Sequence, residues 1–324
     1  MARSRIATDV GVYEADADWA KVPRGWAFRE VAGVATDSRS QVYVFSRSEH
    51  PMMVFDADGE FVASWGEGVF TKAHNVRVSP EGFVFCSDLL DHTVRKFTPE
   101  GELLMTLGTP NVPSDTGGDG RTVKIKRPAG PFNGPTDVAF GPSGELFVTD
   151  GYANARVHRF SGDGKLLESW GTPGDGPGEF NLPHGALIVG GGTLYVADRE
   201  NNRVQVFDLK GRPLAEWTDF AGPTGLSPAA GGTLLVSEFG YDPAVPTRYA
   251  VPRHGKRILP RLTVRSKDGE VLAKIEGEDK CAPGAFFAPH AVCVDRGGNI
   301  YVGEVPITRK APGPCHTLQK LTKR

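Results

Sequence analysis

Three stretches of the chain set a histidine at the start of an apolar run. They are Lys72-Ala73-His74-Asn75-Val76-Arg77-Val78, Leu182-Pro183-His184-Gly185-Ala186-Leu187-Ile188-Val189 and Ala288-Pro289-His290-Ala291-Val292-Cys293-Val294. The histidines are separated by nearly equal intervals, 110 and 106 residues. In each stretch a turn follows, then a second strand, at 83–87, 193–197 and 299–303. A lone histidine reads best as a channel residue bonded to backbone or water. Three at one repeat position read as ligands, because three imidazoles with an open fourth position are a ligand set of catalytic zinc. Such an ion acidifies a bound water or hydroxyl, or polarises a carbonyl.

Two further positions carry side chains suited to chemistry. Five units end a strand in an acid: Asp88, Asp150, Asp198, Glu238 and Glu304. Those acids read as scaffold, each tying down its own loop or pairing with Arg95, Arg156 or Arg203 of the next strand. The first unit offers Arg47 instead, in Val44-Phe45-Ser46-Arg47-Ser48-Glu49-His50. A fixed cation there suits a carboxylate by bidentate contact. Glu49, His50 and Glu304 are candidates for supporting the site or binding substrate, with His50 equally a surface residue. Tyr152, in Asp150-Gly151-Tyr152-Ala153-Asn154, occupies the matching loop of the third unit. Beside a metal and an arginine it would serve as a general base. Read from its own loop, it is more simply an aromatic packed on its blade.

These residues need a scaffold that brings distant positions together. Six segments follow one plan: strand, turn, strand ending in an acid, polar loop, strand, Gly-containing turn, strand. They span about 33–66, 75–108, 137–171, 186–217, 222–275 and 291–321. Tandem units of roughly 40 residues with four short strands are the signature of a β-propeller. Each unit buries too little alone, and stacked neighbours supply the core. The expectation is an all-β, six-bladed propeller forming a single domain over 1–324. The sixth unit runs out of chain after its third strand, so a strand near Gly11 to Glu14 is expected to supply the fourth and close the ring. Alternate blades lie about 120° apart, so His74, His184 and His290, in units two, four and six, converge on the axis. Units three and five carry Thr136 and Thr224 there. Two insertions, 241–260 and 305–316, interrupt the pattern.

Composition narrows the class. The chain has 324 residues, 41 of them Gly and 25 Pro, and a formal net charge of −2. Charges of both signs are interspersed and no basic stripe appears, so nucleic acid is not an expected partner. No run of 18 apolar residues suggests a membrane span. The first ten residues lack an apolar core, so no secretory signal is expected and a cytoplasmic location is. The four cysteines lack metal-site spacing and read as free buried thiols of a reducing compartment.

The repeats resemble NHL repeats, most closely in ADRENNRVQVFD (197–208). The set VFSRSEHP, KAHNV, DGYANARVHRF, LPHGALIVGGGTLYVADRENNRVQVF and APHAVCVDRGGNIYVGE resembles peptidyl-α-hydroxyglycine α-amidating lyase and its bacterial homologues, over roughly residues 30 to 320. That resemblance implies zinc held by His74, His184 and His290, with Arg47 and Tyr152 as catalytic residues. It implies cleavage of the C–N bond of an N-substituted α-hydroxyglycine to an amide and glyoxylate. Iron is the alternative metal, since three-imidazole sites accept both. The family's calcium-binding aspartate corresponds to Ala291, so calcium is not expected. Its methionine two residues before the third histidine corresponds to Ala288, and the cysteine after its tyrosine to Ala153. The expected substrate is a small molecule carrying a carboxylate. The rival readings are a lactonase-like metal hydrolase and a non-catalytic NHL binding scaffold.

Overall fold

The computed structural model describes residues 4–117, 125–244 and 255–324. The insertion predicted at 241–260 therefore lies partly outside the described residues. The fold is a six-bladed, all-β propeller, six antiparallel sheets following one another along the chain. Blade 1 comprises Val31–Thr36, Val42–Ser46, Met52–Phe55 and Phe61–Trp65. The other blades repeat the plan, each starting two or three residues before the periodicity suggests, apart from blade 5, which starts at Pro223.

The strands form where the composition favours them. Second strands such as Val42–Ser46 and Leu146–Asp150 are β-branched or aromatic and buried on both faces. That is what a strand covered by neighbouring sheets requires. Fourth strands such as Leu103–Leu107 and Pro213–Trp217 are mostly exposed. The hairpins between third and fourth strands turn on side-chain caps: the Asp56 carboxylate accepts from the N–H groups of Asp58 and Glu60. Asp208 does the same for Lys210 and Arg212. These are Asx turns, with Gly59 and Gly211 at positive φ.

By contact the chain forms two compact units. One holds blades 1, 5 and 6 (Met1–Val69, Thr224–Asp242 and Lys256–Arg324); the other, mainly Phe70–Pro223, holds blades 2 to 4. The first unit packs Tyr13, Leu235, Leu262, Val292, Ile300 and Leu321 into one apolar cluster. In the second, Phe147, Phe180, Val196 and Phe207 form one cluster and Phe85, Phe132, Val148 and Phe160 another.

The N-terminal strand completes blade 6 as expected. Gly11–Asp16 pairs antiparallel with Leu318–Lys323, Tyr13 opposite Lys323. A fifth strand, Ser4–Thr8, adds to its outer edge. One expectation fails. Cys86 and Cys293 are free and buried, but Cys281 and Cys315 are joined in a disulfide, with Cα atoms 4.7 Å apart. Their separation of 34 residues spans the first and second strands of blade 6. Only the return of the chain through 305–316 brings them together.

Candidate metal centre

The histidines lie inside the first strands of their blades, not before them. His74, His184 and His290 are each the second residue of a strand: Ala73–Val78, Pro183–Val189 and Pro289–Val294. At that residue the register to the second strand slips, between Ala73 and Asn75, Pro183 and Gly185, and Pro289 and Ala291. The same bulge occurs at Thr136 in blade 3 and at Ala32 in blade 1. A bulged residue drops out of the ladder, which re-aims its side chain.

Within each compact unit the same register links neighbouring blades. Thr136 Oγ1 donates to Pro183 O at 2.9 Å, and Thr224 Oγ1 to Pro289 O at 2.8 Å. His74 Nδ1 lies 2.7 Å from Thr136 O, and His290 Nδ1 2.7 Å from Ala32 O. A carbonyl oxygen only accepts, so in both rings Nδ1 carries the hydrogen and Nε2 keeps its lone pair. Metal-binding imidazoles are commonly fixed this way, the second nitrogen donating to a carbonyl. All three histidines are buried, at 0%, 2% and 3% exposure.

One ligand nitrogen from each of His74, His184 and His290 lies within 4.8 Å of the other two. A tetrahedral ion with bonds of about 2.0–2.1 Å has its nitrogens roughly 3.4 Å apart. The donor set, its burial and the Nδ1–H bonds of His74 and His290 fit a metal, and the group could hold one.

Tyr152 joins this group. Its Oη is 3.3 Å from His74 Nε2, and the two rings meet edge to face at 5.3 Å. Two glycines make room for its loop. A Cβ on Gly151 would fall 2.1 Å from Pro183 O, and one on Gly134 would fall 2.8 Å from the Tyr152 Cβ. Arg199 was not singled out in the sequence, yet it donates from Nη1 to Tyr152 Oη at 3.3 Å. Its guanidinium carbon is 5.5 Å from the Tyr152 ring centroid. It follows the acid Asp198 in a short 3-10 turn, Arg199–Asn201, and pairs with Glu200 at 2.7 Å. Burial works against its charge, but Glu200 and Tyr152 prevail and raise its pKa above the usual arginine value.

Comparison with known proteins agrees with this architecture. The NHL repeat family matches residues 132–160 and 180–207. Mouse NHL repeat-containing protein 3 is 32% identical over 290 residues, covering 84% of this chain and 76% of that protein. The chain belongs to the NHL-repeat family. It is also homologous to the amidating lyases. Drosophila melanogaster peptidyl-alpha-hydroxyglycine alpha-amidating lyase 1 is 32% identical over 273 residues, 77% of this chain and 46% of that one. Mouse peptidyl-glycine alpha-amidating monooxygenase is 32% identical over 212 residues, and the match spans about one fifth (20%) of its length. Among solved structures, a streptogramin B lyase superposes with a TM-score of 0.61 at 14% identity, covering 96% and 98% of the two chains. A gluconolactonase from Xanthomonas campestris gives 0.62 at 13% identity over 96% and 90%. Those two likenesses establish the fold alone.

Elsewhere in this NHL-repeat protein the repeated acids are bonded to nearby backbone and side chains, though mostly not by the pairings expected. Asp198 binds its predicted partner, Arg203, at 2.7 Å. Asp88 accepts the backbone N–H groups of Thr71 and Lys72, while Arg95 pairs with Asp91. Asp150 accepts from Asn133 N and Asn154, and Arg156 turns to Ser169 O. Glu238 takes Arg261 and Thr263. Glu304 accepts the N–H groups of Phe287 and Ala288 and the Gln319 amide. Burial pushes its carboxyl up to about 7.

Arg47 does not replace the repeated acid. Val31 pairs with Ser46, as Ala73 pairs with Asp88, Pro135 with Asp150 and Pro183 with Asp198. Ser46 thus holds the acid's place, and Arg47 stands one residue on, level with Gly151 and Arg199. The backbone N–H of each bonds the loop before its own blade: Arg47 to Glu30 O, Gly151 to Gly134 O and Arg199 to Leu182 O. The Arg47 guanidinium binds Glu30 at 3.0 Å and Thr308, from the insertion 305–316, at 2.9 Å. His50 turns away, stacking on Trp26 at 3.4 Å and binding Glu67 at 3.1 Å. Glu49 is exposed.

Proposed function

We propose that the protein is a metal-dependent lyase cleaving the C–N bond of a small N-acyl α-hydroxyglycine. The observation that carries this reading is the buried group His74, His184 and His290 with the Tyr152 hydroxyl 3.3 Å from His74 Nε2. Homology to the amidating lyases supports it. The metal, zinc or alternatively iron, would be held by the three imidazoles and would supply Lewis acidity toward the substrate's oxygens. The reaction needs no other reactant. The hydroxyl loses its proton, its carbon becomes the aldehyde of glyoxylate, the C–N electron pair passes to nitrogen, and nitrogen takes a proton to leave as a primary amide.

The chain's own residues have distinct parts in that scheme. Tyr152 Oη is the group that takes the hydroxyl proton. Arg199 fixes Oη by its N–H and balances the negative charge carried there when the proton is away. The Nδ1–H bonds to Thr136 O and Ala32 O hold the His74 and His290 imidazoles in one tautomer before substrate arrives. Arg47 is the cation for the substrate carboxylate, oriented by Glu30.

The test is glyoxylate release from N-acyl α-hydroxyglycines by protein of known metal content, measured by elemental analysis. About one zinc or iron per chain, with release abolished in His184→Ala, is the expected result. A protein that takes up no stoichiometric metal even on reconstitution sinks the reading. A mouse relative covered over 76% of its length is named for its repeats and for no reaction, so a binding protein is then the better account.

A further inference from the structure

We infer that a cavity beside Tyr152 receives the amide side of the substrate, the acyl group carried on the nitrogen of the bond that breaks. The inference rests on the lyase reading above and says which substrates the site accepts. The cavity, of about 360 Å³, lies within the unit of blades 2 to 4. Tyr152 forms part of its wall, and the same side chain reaches His74 Nε2. An acyl group in the cavity therefore leaves its nitrogen beside the hydroxyl that handles the proton.

The lining sets the chemistry of that group. Ile125, Phe180 and Leu182 give it apolar surface, the last two at 1% and 4% exposure. Asn201, also in the wall, is 1% exposed and its orientation is fixed. Its amide nitrogen donates to Gly174 O at 2.8 Å and to Asp198 Oδ2 at 2.7 Å. Its Oδ1 is then the acceptor, and among the described residues no donor bonds it. A buried acceptor left so is costly, and an amide N–H is the complementary group. Asp175 adds an exposed carboxylate to the lining. The volume is at the lower end of small-molecule sites, about 300–1,000 Å³. The fit is to a compact, neutral or cationic acyl group, aromatic or branched aliphatic, and an anionic one is disfavoured.

The experiment compares acetyl, benzoyl and 4-carboxybenzoyl α-hydroxyglycine as substrates of the metal-loaded protein and of two variants. Ile125→Trp narrows the cavity and is expected to cut kcat/KM for the benzoyl substrate at least tenfold, with the acetyl substrate changed less than threefold. Asp175→Lys reverses the charge at an exposed position and is expected to raise the 4-carboxybenzoyl to benzoyl ratio at least fivefold. Metal content and melting temperature identify any variant that has lost its fold, and Asp175→Lys alone then decides. Unchanged ratios in folded variants overturn the cavity assignment while acetyl turnover keeps the lyase reading intact. No glyoxylate from any substrate with the metal-loaded wild-type protein overturns both.

Discussion

Tyr152 is the residue at which structure and chemistry meet most closely. Its hydroxyl touches His74 and Arg199 and nothing about its sequence neighbours announces that. Tyr152→Phe removes one oxygen, keeps the ring in its packed place and leaves the three imidazoles intact. Metal content should be unchanged, while glyoxylate release falls by about 10²–10⁴, the usual contribution of a positioned acid or base. Full activity in Tyr152→Phe would remove the proton-transfer role. Arg199 acts on the same oxygen from the side. Arg199→Met should lower kcat more than it raises KM, measured on the acetyl substrate. A change confined to KM would instead mark it as a ground-state contact.

At the scale of the strand, the bulge and the threonine belt hold the candidate ligands. Thr136 Oγ1 binds Pro183 O, the carbonyl directly before His184, and also the Thr149 hydroxyl at 2.7 Å. Thr136→Val keeps the shape and removes both bonds in a fully buried place. It should cost about 1–3 kcal/mol, read from denaturant melts, and should weaken metal retention. Glu304 makes the second strand of blade 6 sensitive to pH. Its carboxyl, ordinarily at 4.5, is held at about 7 by burial. The folded state then binds more protons than the unfolded one between those values, so stability declines as pH rises through this window and the loss is complete above about 7. The decline should be on the order of 2–3 kcal/mol. Melts at pH 5 and pH 7.5 check it, and Glu304→Gln should flatten the difference. A wild-type protein equally stable at both pH values would contradict it.

For the whole molecule, a metal bound only by the folded chain adds stability by mass action. Chelator-treated protein should melt several degrees lower than metal-loaded protein, and His290→Ala should abolish that difference. An identical melting temperature with and without metal would argue against a site in the folded state. The completed sixth blade makes a separate prediction. Removing residues 1–16 takes away the strand paired with Leu318–Lys323 and uncovers Leu321 and Ile300. Loss of cooperative unfolding is expected, followed by circular dichroism on heating.

The sequence by itself determined the strands, the six-unit plan, the need for an N-terminal strand in blade 6 and the equivalence of His74, His184 and His290. Those follow from local signals: β-branched and aromatic runs, Asp and Gly turns, and a repeat length that recurs. What sits beside what was left to the tertiary structure. A one-residue bulge moved the histidines inside their strands and set the level at which loops from different blades meet. That level puts Ser46, not Arg47, in the acid's place, and brings Arg199 to Tyr152 across 47 residues of chain. The pairing of Cys281 with Cys315 depends likewise on the path of an irregular insertion. Hairpin pattern is written in neighbouring residues, but register between blades and the reach of side chains across them are properties of the packed sheets.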